Sequence, residues 1–507
     1  MKFKIKSKSF DFVFLGIVSL FFFFLIIFDV NSWYYSAIGD EYAFFNFAKS
    51  IVLGESKLSF FRQSGFISIL DQKGVYDFVS VATSVYQAFI MKLFGVDHRG
   101  WIISSILIVI LAFVFFYFFI KELLGKKVAV FSLFFFAFSH YLWAFTHIGY
   151  WNIHAFFPLF LSLYMFMLGL KQKNFFLFAS GIFSGLCFYT NYFSRISLFL
   201  IFLYLVLSQD WIKKVRQGFI FLAGFLATSV PYFWVNQKVL LEPILKRSLL
   251  ASGEIPREAV MNAFWKNTWA SFFAFFQNDR VSHFVSGSLL DPLFGLFVVI
   301  GLIVSIFAWK KYRFILFTLI CLLFMVGGLS QYPYVAISRL YFLLPVLALV
   351  GGIGLGYVSD KLCSYFSSKA SWLVVCLVMI SVLTLNLYRF YWETPQKMDL
   401  TQEALIIKAF SSCPADQQVV ILYQTPEPLL KPALESYGLS KRSVFIKNDK
   451  QLSEIIEGST CFIIAHPEND YYLDSILQIK KNQEVRNYYS SSGNKKVTVV
   501  FLPTVKE

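Results

Sequence analysis

The sequence contains few charged residues, and this scarcity excludes a soluble globular protein. Only 15% of its 507 residues are charged, while 57% are hydrophobic and phenylalanine alone contributes 64 residues. A surface that faces water is normally much richer in charge. Uncharged runs such as FVFLGIVSLFFFFLIIF and LIVILAFVFFYFFI are long enough to cross a hydrocarbon core of about 30 Å as helices.

Cysteine and histidine are also scarce, with six residues of each. Their spacing matches no metal-ligand motif, so we expect neither a metal nor another cofactor. Four cysteines lie in or beside apolar runs, at positions Cys187, Cys321, Cys363 and Cys376. Cys413 and Cys461 fall near predicted strands of the carboxyl-terminal segment. An oxidising compartment permits a disulfide between them, and two free buried thiols are the alternative.

Acidic residues number 30 against 45 lysines and arginines, which leaves a net charge of +15. The positions of the basic residues argue against a nucleic-acid partner, because they form short clusters between apolar runs. These clusters are MKFKIKSK at the start, KELLGKK at 121, KQKN at 171, WIKKVRQ at 211 and KKYR at 310. This is the pattern of a polytopic membrane protein whose basic loops stay in the cytoplasm.

The fold class predicted is therefore a polytopic α-helical membrane protein with about 11 transmembrane helices and a carboxyl-terminal α/β domain outside the cytoplasm. The spans lie near 11–29, 101–120, 128–146, 153–170, 175–190, 196–208, 219–237, 292–309, 314–330, 340–358 and 372–391. We expect a multi-pass protein of the cell membrane with a cytoplasmic amino terminus. Residues 1–391 then form the membrane domain, whose outer loops are 30–100 and 238–291.

Residues 392–507 differ in composition from the membrane domain. Short β-branched runs (VVILYQ, SVFIK, CFIIAH, KVTVVFLP) alternate there with helical patterns (TQEALIIKAF, PEPLLKPALESYG, DKQLSEIIEG). This alternation is typical of a small α/β domain.

Two adjacent acids, Asp40 and Glu41, follow the first span in the stretch AIGDEYAFFNFAKSI. The stripe formed by Phe44, Phe47, Ala48 and Ile51 predicts an amphipathic helix at the membrane interface, ended by Gly54. One interpretation is structural, with Asp40 as the helix cap and Glu41 favoured by the helix dipole. The other is catalytic. Adjacent helical residues point in different directions, so at most one of the two acids is the reactive group.

Two arginines lie in short outer loops, Arg195 in YTNYFSR and Arg339 in SQYPYVAISR. Both sit at the mouths of spans, on the side where positive charge is disfavoured. They are either snorkelling anchors or an anion site, since guanidinium offers bidentate donors to phosphate. A carboxylate and two arginines at one membrane surface suggest chemistry on a lipid-tethered phosphate.

The order of basic tail, span, outer GDE, interfacial helix and then LFGVDHRGWIISSIL resembles the C-type glycosyltransferases. More narrowly, it is similar to family 39, which contains protein O-mannosyltransferases and the lipid A aminoarabinose transferase. LLDPLFGLFVVIGLI and AISRLYFLLPVLALVGGIGLG also resemble its later spans, so that the similarity covers roughly residues 10–358. Many relatives have an aspartate after the third span, where this chain has HIGYWNIH.

The resemblance implies a polyprenyl-phosphate sugar as the donor substrate. Arg339 and Arg195 then neutralise the leaving phosphate, and Asp40 acts as general base on an acceptor hydroxyl, which makes the chain an inverting hexosyl or pentosyl transferase. The acceptor is a glycan, a lipid or a protein. Further candidate residues for acceptor contacts or support are Tyr192, His147, Asn152, His154 and Tyr341, with Asp71, Asp77 and Glu254 as weaker candidates on the long loops.

Two other classes of protein stay open. A lipid-phosphate transporter or flippase would also be polytopic, although it would more often carry charges within its spans and inverted repeats. A non-catalytic membrane protein that displays an α/β module would use GDE as a plain helix start. The motif GGIGLG at 351–356 is formally similar to a dinucleotide loop, but it lies inside an apolar span, where close helix packing through small residues explains it better.

Overall fold

The computed structural model describes residues 7–30, 33, 35, 39–54, 81–171, 173–207, 211–235, 259–277, 284–329, 337–414, 418–422, 427–439, 443–445, 461–465, 476, 484–489 and 495–501. In chain order, the helices before residue 400 are α1 (Ser7–Ile27), α2 (Gly39–Val52), α3 (Val81–Phe94), α4 (His98–Leu124), α5 (Lys126–Ala137), α6 (His140–Ile148), α7 (Phe156–Lys171), α8 (Asn174–Leu186), α9 (Ile196–Leu207), α10 (Trp211–Val235), α11 (Val260–Ala274), α12 (Pro292–Phe307), α13 (Trp309–Leu322), α14 (Ile337–Leu340), α15 (Leu344–Tyr365), α16 (Ser368–Tyr388) and α17 (Thr394–Lys397).

Helices lie at each of the eleven predicted spans, with α5 and α6 sharing one of them. Six helical stretches of the described residues are long and apolar enough to cross a membrane: Ser9–Ile27, His98–Leu124, Asn152–Lys171, Trp309–Gly328, Tyr341–Tyr365 and Ser368–Lys397. The pair α5 and α6 forms a seventh, and three shorter apolar helices accompany them. The prediction of a polytopic helical membrane protein is confirmed.

The span predicted at 128–146 is broken rather than straight, with a bend of 54° between α5 and α6. Side chains bind the backbone groups that the break frees, as a membrane interior requires. The Trp143 indole donates to the Ala137 carbonyl at 2.8 Å. The Asn386 side-chain oxygen accepts from the His140 amide at 3.0 Å, and its amide group donates to the Asp291 carboxylate at 2.9 Å. No proline marks this break in the sequence.

The glycines of GGIGLG allow α15 to approach two neighbouring helices closely. A Cβ atom on Gly352 would lie 2.2 Å from the Ser132 Oγ atom of α5. A Cβ atom on Gly354 would lie 2.1 Å from the Phe297 carbonyl oxygen of α12. Only glycine fits at such distances, so the packing interpretation of this motif agrees with the structure.

Ion pairs join the basic cluster KELLGKK to α1 and α15 at one end of the helix bundle. The buried Asp11 carboxylate at the start of α1 accepts from the Tyr117 hydroxyl at 2.7 Å and pairs with Lys121 and Lys126. Lys127 pairs with Asp360, near the end of α15, at 2.8 Å. This basic end of the bundle is the end that the charge pattern predicts to face the cytoplasm.

The opposite end of the helix bundle carries the helices of the two predicted outer loops. The Tyr35 hydroxyl donates to the Pro395 carbonyl at 3.2 Å, and the Tyr391 hydroxyl donates to the Leu25 carbonyl at 3.0 Å. Helices α2 and α3 lie in the predicted outer loop 30–100, and α11 lies in the second one, 238–291. These three helices make both loops partly helical.

The carboxyl-terminal part contains helices α18 (Gln402–Phe410) and α19 (Glu427–Ser436) and a five-stranded sheet. Its strands are β1 (Val419–Leu422), β2 (Ser443–Phe445), β3 (Cys461–Ala465), β4 (Glu484–Tyr489) and β5 (Lys495–Phe501), in the order β2-β1-β3-β5-β4. Strand β1 pairs in parallel with β2 and β3, whereas β5 is antiparallel to β3 and β4. The predicted α/β module is confirmed. The helical pattern DKQLSEIIEG lies outside the described residues.

Cys413 and Cys461 form a disulfide in this domain, with their Cα atoms 6.1 Å apart. Cys413 follows α18, and Cys461 opens β3, which pairs in parallel with β1. The structure therefore has the bridge and not the two free thiols, and it joins elements that are 48 residues apart in sequence.

Candidate functional site

The two acids of GDE are the second and third residues of α2, which begins at Gly39. Asp40 is therefore inside the first turn and not at the N-cap, which corrects the capping interpretation. Both acids still lie at the helix N-terminus, where the helix dipole favours negative charge. The side chains of Asp40 and Glu41 lie outside what the structure describes. Their backbone positions are set by the helix that carries them.

Helix α2 is buried on more sides than an interfacial helix with one apolar stripe. Tyr42 and Phe45 are completely buried, and their rings lie 5.6 and 5.7 Å from the ring of Trp101. The predicted stripe is only partly right, since Phe47 and Ala48 are buried whereas Phe44 and Ile51 are half-buried. Burial raises the pKa of the Tyr42 hydroxyl well above its ordinary value. The helix is therefore packed by protein as well as by any lipid.

Arg195 ends a short 3-10 helix, Tyr192–Arg195, directly before α9. Its Nη2 atom donates to the Tyr232 hydroxyl at 2.8 Å and to the Phe188 carbonyl at 3.4 Å. The guanidinium lies 5.2 Å from the ring centroids of both residues. Aromatic faces stabilise a cation without neutralising it.

Within the described residues, no carboxylate pairs with Arg195 and its Nε atom has no hydrogen-bond partner. A half-buried cation that keeps a donor for another group can bind an anion. This arrangement differs from a snorkelling arginine, whose charged head extends into water.

The structure brings the segments of the two arginines together. Arg339 lies half-buried in α14. Phe342, three residues later, stacks on Phe193 of the Arg195 turn with ring centroids 3.9 Å apart and planes 11° apart. Tyr341 is completely buried, and its ring lies 4.4 Å from that of Phe145. The two segments thus meet, as a shared phosphate site requires.

A buried polar cluster beside the Arg195 turn includes two of the further candidates, His154 and Asn152. The Nε2 atom of His154 lies 3.4 Å from the Gln87 amide and 3.4 Å from the Ser105 hydroxyl. Asn191 donates to the Asn152 side chain and accepts from the Phe193 amide at 2.9 Å, so it caps the arginine turn. Asn152 and Asn191 thereby connect the 3-10 turn Trp151–Ala155 to the segment of Arg195.

Sequence reasoning missed Gln87, Ser105, Asn191 and Tyr232. Each is a single polar or aromatic residue in an apolar helix or beside one. Only its burial distinguishes it from other polar residues, and the sequence does not report burial. A polar side chain that is buried at this depth needs a partner, and the partners come from separate helices.

The remaining candidates fall elsewhere. His147 packs between aromatic rings, 6.2 Å from Trp33 and 5.6 Å from Phe390 by ring centroids. Its environment is that of a packing residue. The side chain of Tyr192 lies outside the described residues, as do the weaker candidates Asp71, Asp77 and Glu254 in full. In the part of the chain that the structure describes, no group of three or more His, Cys, Asp or Glu side chains could hold a metal ion.

Residues 81–234 match the family model of dolichyl-phosphate-mannose-protein mannosyltransferases. No curated protein matches the chain by sequence. Among solved structures, ArnT from Cupriavidus metallidurans bound to undecaprenyl phosphate is 10% identical, covers 97% of this chain and 98% of its own, and has a TM-score of 0.52. Its apo state is 9% identical with the same coverage and TM-score. The Archaeoglobus fulgidus oligosaccharyltransferase in complex with Zn and sulfate is 12% identical and has a TM-score of 0.50. The match covers 95% of this chain and 72% of the oligosaccharyltransferase chain.

These similarities define the class of protein by its fold. The architecture of ArnT and of the oligosaccharyltransferase extends over nearly all of this chain. The chain therefore has the C-type membrane glycosyltransferase fold, as the sequence predicts. The matched region 81–234 contains Arg195 and the polar cluster around His154.

Proposed function

We propose that the protein is an inverting glycosyltransferase that moves a hexose or pentose from a polyprenyl-phosphate donor to an acceptor hydroxyl. The reaction takes place at the end of the bundle that carries α2 and the arginine turns. The acceptor class is a glycan, a lipid or a protein. The basic end faces the cytoplasm in this proposal, because basic loops are retained there, and the carboxyl-terminal domain lies outside.

The observation that carries the proposal is the environment of Arg195. Its guanidinium is held by the Tyr232 hydroxyl and by two aromatic faces, and no carboxylate of the described residues neutralises it. Phe342, in the segment of Arg339, stacks on Phe193 of the Arg195 turn. A permanently charged guanidinium that is held in place, with a second arginine in the neighbouring segment, suits a phosphate that carries charge before and during the reaction.

The relatives support a lipid-linked phosphate as the ligand of this site. ArnT shares the fold and was solved with undecaprenyl phosphate. The matching family model describes transferases that use dolichyl-phosphate mannose. Both ligands are polyprenyl phosphates, and we extend this substrate class to the present chain.

Asp40 is the general base of the proposed mechanism. It removes the proton of the acceptor hydroxyl while the oxygen attacks the anomeric carbon and the bond to the phosphate breaks. Arg195 and Arg339 neutralise the charge that develops on the leaving phosphate. A single displacement inverts the anomeric centre. Side chains perform each of these steps, so the proposal includes no metal ion and no other cofactor.

The test measures sugar transfer from a radiolabelled polyprenyl-phosphate sugar by the purified protein, with envelope lipid and glycan extracts as acceptors. Asp40→Asn is expected to lower the rate by about 10²–10⁴-fold, because it removes the base but keeps the shape. Glu41→Gln is the matched control and is expected to be much milder. If Asp40→Asn transfers sugar at the wild-type rate, Asp40 is not the base, and a wild-type protein that transfers nothing refutes the proposed function.

A further inference from the structure

The carboxyl-terminal domain contacts the helix that carries the proposed catalytic acid. Helix α19 of this domain packs against α2. Lys49 in the last turn of α2 forms an ion pair with Glu435 near the end of α19, and both side chains are largely buried, with 23% and 20% of their surface exposed. The apolar side of α19 is fully buried through Leu430, Ala433 and Leu434.

A second contact lies at the end of α19. The ring of Tyr437 stacks on that of His98, the first residue of α4, with centroids 4.5 Å apart and planes 19° apart. The ring of His98 lies 6.3 Å from that of Tyr42. Tyr42 follows Glu41 directly and is completely buried. The domain therefore contacts α2 at its carboxyl-terminal turn and, through His98, beside its amino-terminal turn.

Helix α2 has 14 residues, and isolated helices of this length are marginal in water. Its position therefore depends on its packing partners, which include α3, α19 and Trp101 of α4. A displacement of a catalytic group by about 1 Å can lower a rate by about 100-fold. A domain that holds both ends of this helix thus has a direct route to the reaction rate.

We propose that the carboxyl-terminal domain clamps α2 and thereby positions the Asp40–Glu41 turn for catalysis, with Lys49, Glu435 and Tyr437 as the positioning residues. This inference rests on the proposed function, since it assigns a role in the same reaction. It predicts that damage to the clamp lowers kcat and leaves the donor KM unchanged, because the phosphate site is built from other segments.

Charge reversal of the ion pair in the full-length protein tests the clamp. Lys49→Glu and Glu435→Lys each place like charges together, and each is expected to lower kcat about tenfold with donor KM within about twofold of wild type. The double reversal restores an opposite pair and is expected to recover kcat to within about threefold of wild type. Lys127→Glu is the control, because it likewise places like charges together, in the pair with Asp360 at the other end of the bundle, and it is expected to leave kcat unchanged.

Hydrogen exchange of the backbone amides of α2 gives a readout that needs no activity. It is expected to rise in both single reversals and to return in the double reversal. Tyr437→Ala is expected to behave like a single reversal, whereas Tyr437→Phe keeps the ring on His98 and retains most of the activity.

Each contrary outcome is distinct. If wild-type protein is active and the single reversals keep its kcat, the positioning role is refuted although the proposed function stands. Loss of kcat that the double reversal does not recover, or an equal effect in the Lys127→Glu control, also refutes it, because the loss then reflects folding. A wild-type protein without transferase activity refutes the proposed function and the positioning role together.

Discussion

Replacement of Arg195 by lysine tests the phosphate site most directly, because lysine keeps the positive charge and removes the planar guanidinium. In the structure this group lies beside the rings of Phe188 and Tyr232, with a 2.8 Å hydrogen bond to the Tyr232 hydroxyl. A lysine ammonium at this position has a single point of contact and cannot bind two phosphate oxygens in one fixed plane.

The magnitude follows from the contacts that lysine loses. A hydrogen bond to a charged group contributes about 1.5–3 kcal/mol, and the loss of one member of a bidentate pair removes one such bond. The aromatic cradle contributes a further 0.5–1 kcal/mol or so. The sum is about 2–4 kcal/mol, which corresponds to a decrease of about 30- to 1000-fold in kcat/KM at about 1.4 kcal/mol per factor of ten.

Steady-state kinetics with a polyprenyl-phosphate sugar measure this change. We expect Arg195→Lys to raise the donor KM as well as to lower kcat, since the phosphate is charged in both the ground state and the transition state. Tyr232→Phe is the matched control. It keeps the ring and the guanidinium and removes only the hydrogen bond between Arg195 and the Tyr232 hydroxyl, so kcat/KM is expected to fall much less than in Arg195→Lys.

The reasoning is refuted if Arg195→Lys retains kcat/KM within about twofold of wild type while its unfolding temperature is unchanged. Arg195 would then only anchor the mouth of its span. A variant that loses stability and activity together would instead indicate a structural role for the aromatic cradle.

Three further predictions concern stability and are checked by thermal unfolding of the purified protein. Asn386→Leu is expected to destabilise the protein by about 1–3 kcal/mol, because it removes one hydrogen bond from the buried Asp291 carboxylate and one from the His140 amide; unchanged stability would mean that the broken span does not need this side chain. Gly354→Ala is expected to cost about 1–3 kcal/mol through its clash with a helix backbone, whereas Gly16→Ala, whose Cβ atom meets nothing within 4 Å, should cost nothing. Removal of the disulfide in the double variant Cys413→Ala/Cys461→Ala is expected to destabilise the carboxyl-terminal domain by about 2–4 kcal/mol, and alkylation of both thiols in native protein would show that the bridge does not form.

The membrane architecture was predictable because the chemistry of a bilayer acts on local sequence. Each span needs about 20 apolar residues, and basic loops mark one side, so the span positions follow without tertiary information. The bend between α5 and α6 did not follow, since no proline or glycine pair causes it. Asn386, from a helix more than 200 positions away, accepts from the His140 amide that the break frees.

The carboxyl-terminal sheet shows the same division. The apolar strands β1, β3 and β5 were visible as β-branched runs, and their burial explains this signal. Strand β4 (EVRNYY) was missed because it is an exposed edge strand whose residues follow no apolar pattern. Edge strands of this kind are defined by the neighbour with which they pair.

For the candidate site, the sequence determined which residue types were available and in which segments. Each arginine lies at the mouth of an apolar span, on the side where positive charge is disfavoured, and the acid pair directly follows the first span. Arg195, Arg339 and Asp40 could therefore be proposed from sequence. Only the tertiary structure decided which segments meet. The stack of Phe193 on Phe342 unites the arginine segments, and α19 holds α2 through Lys49 and Glu435. Such contacts join residues far apart in the chain, and their geometry depends on how all the helices pack together, which local sequence patterns do not encode.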